Sequence, residues 1–309
     1  MLKNKVLESD PNFVPAKKSK KRIVTNVLYY IVGAVISMLF IFPIFYMFST
    51  STKSPEAIAF AQSNNKIMMF IPDFSDLPHW FDNYTRIFVD YEIWKYALNS
   101  FIYSIIAIVF NVLVNGLAGY VLAKFNFPAK GFFNFIILFL IIVPVETSII
   151  PLWLVVKKLL NLSGTLTIAA VVLPSIISVF NIFLFTQFFS SIPKEYEEAM
   201  HIDGASRTRM FFDLILPLSK PIIATVMVFT FIGVWNDFIW PQMILSNPAE
   251  GEWPLLTIQK VLFDFRSNPN TKPGEAMASL VITSIPIFVI YAAAQKYIVK
   301  GFGTAGLKM

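Results

Sequence analysis

EEAMHIDGASRTRMFFDLILP, residues 197–217, lies between two long apolar runs and is too charged to cross a bilayer. Acids at Glu197, Glu198 and Asp203 precede Gly204; Arg207 and Arg209 follow it. Pro193 sits where a helix can begin, since proline is tolerated in the first turn, and 194–202 have helical composition. Gly204 permits a turn that other residues resist. Ser206 is a suitable N-cap for a second helix. There Met210, Phe211, Leu214, Ile215 and Leu218 recur at helical spacing and make one apolar stripe. Pro217 and Pro221 are expected to break it. The reading is two short helices with a bend, lying across a membrane face.

The rest of the chain explains why such a loop is there. Of 309 residues, 56% are hydrophobic and 14% charged, with 32 Phe. Soluble domains carry roughly 25% charged residues, so lipid is the expected main solvent. Cysteine is absent, which excludes disulfides, thiolate metal sites and cysteine nucleophiles. The two histidines, His79 and His201, are far apart, so no histidine-rich metal cluster is available. No cofactor is expected.

Residues 1–22 are hydrophilic, and the apolar run after them, Ile23–Thr52, is too long for a signal-peptide core. A span needs ~20 apolar residues, so this run is read as a retained span. Further spans are expected at about 96–123, 131–156, 166–189, 221–246 and 276–295, with Glu146 and Asp237 as internal charges. Open sheets cannot cross lipid, and these runs are too long for barrel strands. The expected fold class is therefore all-α: a polytopic membrane protein with six transmembrane helices. It divides into a basic tail (1–22), a six-span body (23–300) carrying the loop 193–217, and a short tail (301–309). The hydrophilic connections 53–95 and 247–275 read as loops with little regular structure, with room for a short helix.

Charge sets the orientation. Lys17, Lys18, Lys20, Lys21 and Arg22 precede the first span, and Lys124, Lys130, Lys194, Arg207, Arg209, Lys220, Lys296, Lys300 and Lys308 fall on the same side. The positive-inside tendency makes that side cytoplasmic, with both termini and the 193–217 loop. The KKSKKR run against a span marks topology, with contact to anionic lipid, rather than nucleic-acid binding.

From the residues alone, two readings of the loop stand: a solvated interfacial helix, or a knob that docks into a cytoplasmic partner. Ala199, Gly204 and Ala205 allow close backbone approach, and Glu198 and Asp203 supply acceptors. The pattern Glu198-Ala199-Met200, Asp203-Gly204-Ala205, then Phe211, Leu214, Leu216 and Pro217, resembles the EAA loop of binding-protein-dependent ABC transporter permeases, with Met200 in place of the third motif alanine. NSFIYSI (99–105), LAGYVLAKFNFPAKG (117–131), VWNDFIWP (234–241) and the ending KYIVKGFGTAGLKM resemble the carbohydrate, maltose-permease-like branch.

The resemblance implies one membrane subunit of an importer, itself without ATPase activity. Indeed no G-x-x-x-x-G-K-[ST] phosphate loop occurs in the chain. It implies as partners a second permease subunit, two ATP-binding subunits and an extracytoplasmic solute-binding protein. Glu198, Ala199, Asp203, Gly204, Ala205, Leu214, Leu216 and Pro217 would carry the coupling to the ATPase. The implied cargo is a sugar or oligosaccharide; polyamines and other polar solutes stay open.

Charged residues inside spans cost ~3 kcal/mol on insertion scales and usually face a cavity or a partner. Glu146 and Asp237 are therefore candidates for the solute path, or else end-of-span residues that reach water. Asn181, Gln187, Trp235, Asn236 and Gln242 could line a sugar path or make ordinary interhelical hydrogen bonds. Two rival classes remain at this point. An ion-driven secondary transporter predicts several buried carboxylates and internal repeats. A membrane enzyme needs a convergent acid, base or metal set. The sequence offers two candidate carboxylates and no repeat for the first, and no such set for the second.

Overall fold

The computed structural model describes residues 20–162, 164–245 and 253–305. Most of the basic tail 1–22, and residues 306–309 of the C-terminal tail, lie outside them. The described residues are helical throughout their regular structure, so the fold is that of an all-α, multi-pass membrane protein. Three helices are by themselves long and apolar enough to cross a bilayer, and three bent pairs bring the number of candidate spans to six.

Helix α1, Lys20–Ser51, leaves most of its apolar side chains from Val24 to Phe48 exposed. A helix apolar on every side is stable only in lipid or against a partner. Where a loop with at most a short helix is expected, α2 (Pro55–Asn64), two 3-10 turns and α3 (Asp82–Val89) form. The reason is local. Ser54 caps α2 by accepting from Ala57 N–H, Pro55 takes the first helical position and Glu56 favours the dipole. The buried Lys53 ammonium donates to Ser49 O at 3.1 Å, Ser49 Oγ at 2.8 Å and Ile71 O, and burial pushes its pKa down. Asn83 of α3 donates to the carbonyls of Ser51 and Lys53, and Arg86 pairs with the buried Glu275 at 2.6 Å.

Helix α4, Ile93–Lys124, is the hub. It carries an inward polar stripe of Asn99, Ser100, Ser104, Asn111 and Asn115, all buried. Next come α5 (Lys130–Ile142) and α6 (Ile149–Leu154), which runs into a π turn at Val155–Leu159. The third expected span is thus broken: its halves meet at 98° around Val145–Ser148. Helices α7 (Thr167–Ile176) and α8 (Val179–Ser190) meet at 44°. Helix α9 is Glu195–Ile202. Helix α10, Arg207–Met210, continues through a π turn to Leu218 and meets α11 (Lys220–Asn236) at 82°. Helices α12 (Ile239–Ile244), α13 (Ile258–Ser267) and α14 (Pro273–Ala305) complete the described chain.

A helix break in lipid frees backbone groups that water cannot satisfy, so protein groups must do it or the break must line a cavity. At the α7–α8 break two asparagines of α4 supply the partners. Asn111 donates to Ser175 O at 3.0 Å and Asn115 to Ile176 O at 2.9 Å. Asn115 Oδ1 also accepts from Ser178 N–H at 3.0 Å. Ser178 Oγ then caps α8. The polar stripe of α4 exists for these bonds and for the 253–258 segment. There Asn99 and Tyr103 donate to backbone carbonyls of Pro254, Leu256 and Leu255, and Ser100 accepts from Ile258 N–H.

Candidate coupling loop and translocation cavity

The loop is a corner with caps on both sides. Helix α9 ends with Ala205 N–H bonded to Met200 O and Gly204 N–H to His201 O, both at 3.0 Å. That is the Schellman arrangement, and it requires a left-handed residue at the position Gly204 occupies with φ +76°. Ser206 follows and caps α10 through Arg209 N–H. Only Ala205 stands between the glycine and that cap.

The two faces of the corner differ. Glu198, Ala199, Asp203 and Gly204 are exposed, and Ile202 is 86% exposed. Facing the spans, Met210, Phe211 and Ile215 are fully buried. The Phe211 ring lies 5.3 Å from that of Tyr120 on α4 and packs beside Gly116. Leu214 and Leu216 are half-buried, whereas Pro217 is exposed. Proline has no N–H and its ring crowds the carbonyl four residues back. The preceding backbone widens into the π turn Phe211–Ile215, with Leu216 N–H reaching Phe211 O. Pro217 therefore does not end the helix as expected; the bend falls at the buried Ser219, whose hydroxyl donates to Ile215 O at 2.6 Å.

Glu197, buried and not among the residues singled out from the sequence, ties the corner down. Its carboxylate lies 2.7 Å from Lys124 Nζ and 3.9 Å from Arg207 Nη1. Lys124 also donates to Ile192 O at 2.7 Å, and Arg207 sits over the Phe125 ring at 5.4 Å. Lys124 is distant in sequence, so no local spacing announces this pair.

A cavity of about 710 Å³ opens where the helix breaks come together. Glu146 from the α5–α6 break, Ser178 and Asn181 from the α7–α8 break, and Asp237 from the α11–α12 break all line it. Phe180 and Phe229 line it too, with rings 5.9 Å apart. Asp237 accepts from Trp240 N–H at 3.2 Å and so starts α12.

These features have known counterparts. The profile of the binding-protein-dependent transport system inner membrane component family matches residues 115–303, from the α4 polar stripe through the corner to α14. The chain belongs to that family. This permease is 28% identical over 94% of its length to the arabinooligosaccharides transport system permease protein AraQ of Halalkalibacterium halodurans, covering 99% of that protein. It is 32% identical to the diacetylchitobiose uptake system permease protein NgcG of Streptomyces coelicolor, over 85% of this chain and 82% of that one. To the sn-glycerol-3-phosphate transport system permease protein UgpE of Salmonella typhi it is 35% identical, over 67% of this chain and 72% of the other. In structure it superposes with a TM-score of 0.72 and 25% identity on a chain of a bacterial ABC transporter that imports the acidic polysaccharide alginate. That match covers 91% of this permease and 99% of the other chain.

The sequence-predicted path residues separate into two groups in this permease. Glu146, Asn181 and Asp237 share the cavity. The Asn181 amide, however, is already committed to Asn111 Oδ1 at 2.9 Å and Thr230 Oγ1 at 3.3 Å. Trp235, Asn236 and Gln242 are elsewhere. Trp235 is 2% exposed, stacks on Phe231 at 5.4 Å and donates to Thr283 O at 3.0 Å. One residue on, the helix turns Asn236 toward α13, where it accepts from Gln259. Gln187 lines a separate recess of about 330 Å³ with Lys130, Asn134 and Ser190.

Proposed function

We propose that this permease forms half of the translocation path of an ABC importer for a sugar or oligosaccharide, driven by a separate ATPase through the 193–217 corner. One observation carries the reading. The corner presents Glu198, Ala199, Ile202, Asp203 and Gly204 outward, while Glu197, Met210, Phe211 and Ile215 fix its other face to the spans. A rigid exposed knob with a buried root transmits displacement; a solvated interfacial helix needs no such root.

The proposed mechanism follows. Two ATP-binding subunits close on ATP, and the docked corner moves with them. Its motion reaches α4 through Phe211 and the Glu197–Lys124 pair, and reaches α11 through the bend at Ser219. The cavity then changes access by rigid-body rocking, as in transporters with central sites. ATP drives the change only through its differential affinity for the two states. Glu198 and Asp203 contact the ATPase; Gly204 sets the bend; Leu214 and Leu216 hold the second helix, and Pro217 forces the π turn beside them. The corner and both termini are cytoplasmic, and an extracytoplasmic binding protein delivers solute to the other side, with a second permease subunit completing the path. The cargoes named for AraQ, NgcG and the alginate transporter support a saccharide, while UgpE is named for a glycerol phosphate.

Co-expression with the neighbouring transport subunits tests this. An ATPase should co-purify through the corner, and vesicles should take up labelled oligosaccharide only with ATP and the binding protein. Uptake driven by an ion gradient without ATP contradicts the reading.

A further inference from the structure

The charge of the cavity bears on its cargo. The charged side chains lining it are Glu146 and Asp237; no lysine, arginine or histidine is among the lining residues. Among the described residues no hydrogen bond or ion pair engages the exposed Glu146 carboxylate. Asp237 uses acceptor capacity on Trp240 N–H, yet an ionised carboxylate has about four lone-pair sites. The remaining walls are largely apolar: Leu140, Ile149, Val234 and Ile239 line the cavity together with the Phe180–Phe229 ring pair.

Apolar walls around charges of one sign focus the field instead of screening it. We propose that this cavity is electronegative and that its cargo carries no net negative charge: a neutral saccharide, as opposed to a sugar phosphate or a uronic-acid oligomer. The inference rests on reading the cavity as this chain's part of the solute path. The chemistry matches a polyol. Hydroxyl groups donate to carboxylates, and the C–H faces of a sugar ring lie against aromatic rings. A phosphate or uronate would bring a like charge into the same walls with no cation from this chain to pair it.

The absence of cysteine makes a direct test available. Gly233 lines the cavity, and a Cβ added there would meet no atom within 4 Å. Gly233→Cys in the assembled transporter is labelled with a trimethylammonium-bearing and a sulfonate-bearing methanethiosulfonate. Each rate is normalised to that of a small thiol in solution and corrected for the parent complex. The expected cation-to-anion ratio is about tenfold above unity, falling toward unity when Glu146→Gln and Asp237→Asn are added. A ratio near unity, or one that the double substitution leaves unchanged, overturns the proposal. A parallel uptake assay compares neutral and uronate oligomers of equal length. ATP-driven uptake of the uronate as fast as the neutral oligomer also overturns it, while leaving the path reading intact. Failure of both reagents to reach Gly233→Cys, with no ATP-driven uptake of any saccharide, overturns the path reading and this inference with it.

Discussion

Glu197 Oε1 lies 2.7 Å from Lys124 Nζ, and both side chains are at most 10% exposed. This pair joins the first helix of the corner to the end of the longest inward-facing span. Breaking a buried pair by removing one partner costs about 3–5 kcal/mol, because the other charge is left uncompensated. Glu197→Gln should therefore lower uptake strongly and loosen the ratio of ATP hydrolysed to solute moved. The exchange Glu197→Lys with Lys124→Glu should restore part of both. A merely local packing role predicts no recovery in the exchanged pair.

Gly204 makes a second, separable prediction. Its φ of +76° is strained for any L side chain, while a Cβ there would meet nothing within 4 Å. Gly204→Asp should leave the protein in the membrane and uncouple transport from hydrolysis. Gly204→Asn, the residue that after glycine fills this left-handed helix-end position, should keep more of the uptake. Uptake and ATPase co-purification measured side by side distinguish the two.

Helix approach at Gly119 should set stability, not coupling. A Cβ built there would sit 2.6 Å from Phe185 Cβ and 3.0 Å from Thr186 N, so α4 and α8 cannot stay in place. Overpacking of this kind costs about 1–3 kcal/mol or more. Gly119→Val should lower the thermal transition of the purified complex, and Gly131→Ala, where nothing lies within 4 Å, should not.

Asn115 should matter for the same readout by a different cause. Asn115→Leu removes the partners of Ile176 O and Ser178 N–H at the α7–α8 break. Each buried polar group left unsatisfied costs about 1–3 kcal/mol. The expected result is a lower thermal transition, together with faster amide exchange at 176–178 than in the parent.

Much of the corner was legible because its signals are local. A glycine at the helix end, a serine two residues on and an apolar stripe at helical spacing place Gly204, Ser206, Met210, Phe211 and Ile215 without any tertiary information. The all-α, multi-pass character was legible for a similar reason, since a long apolar run has one stable solution in lipid. What escaped depends on distant partners. Glu197 looked like one acid among three until Lys124 was brought beside it. The breaks inside three spans were hidden because Asn111 and Asn115, which satisfy one of them, sit on another helix. Trp235 was drawn to the cavity by its residue type, while helix phase turns it into the core against Phe231. In the connection 53–95, where room was left for one short helix, cap chemistry at Ser54–Glu56 starts α2, and α3 is held by contacts to distant residues such as Glu275.

The central claim is that the outward face of the corner docks on an ATP-hydrolysing subunit. Single cysteines at Ala199 and Ile202, in this naturally cysteine-free chain, test it by crosslinking in actively transporting vesicles. The account predicts that both capture the ATPase, that capture changes on adding ATP, and that the crosslink stops uptake until it is reduced. Reagents reaching Ala199→Cys only from the extracytoplasmic side, or an active transporter whose corner crosslinks to no ATPase, would contradict it.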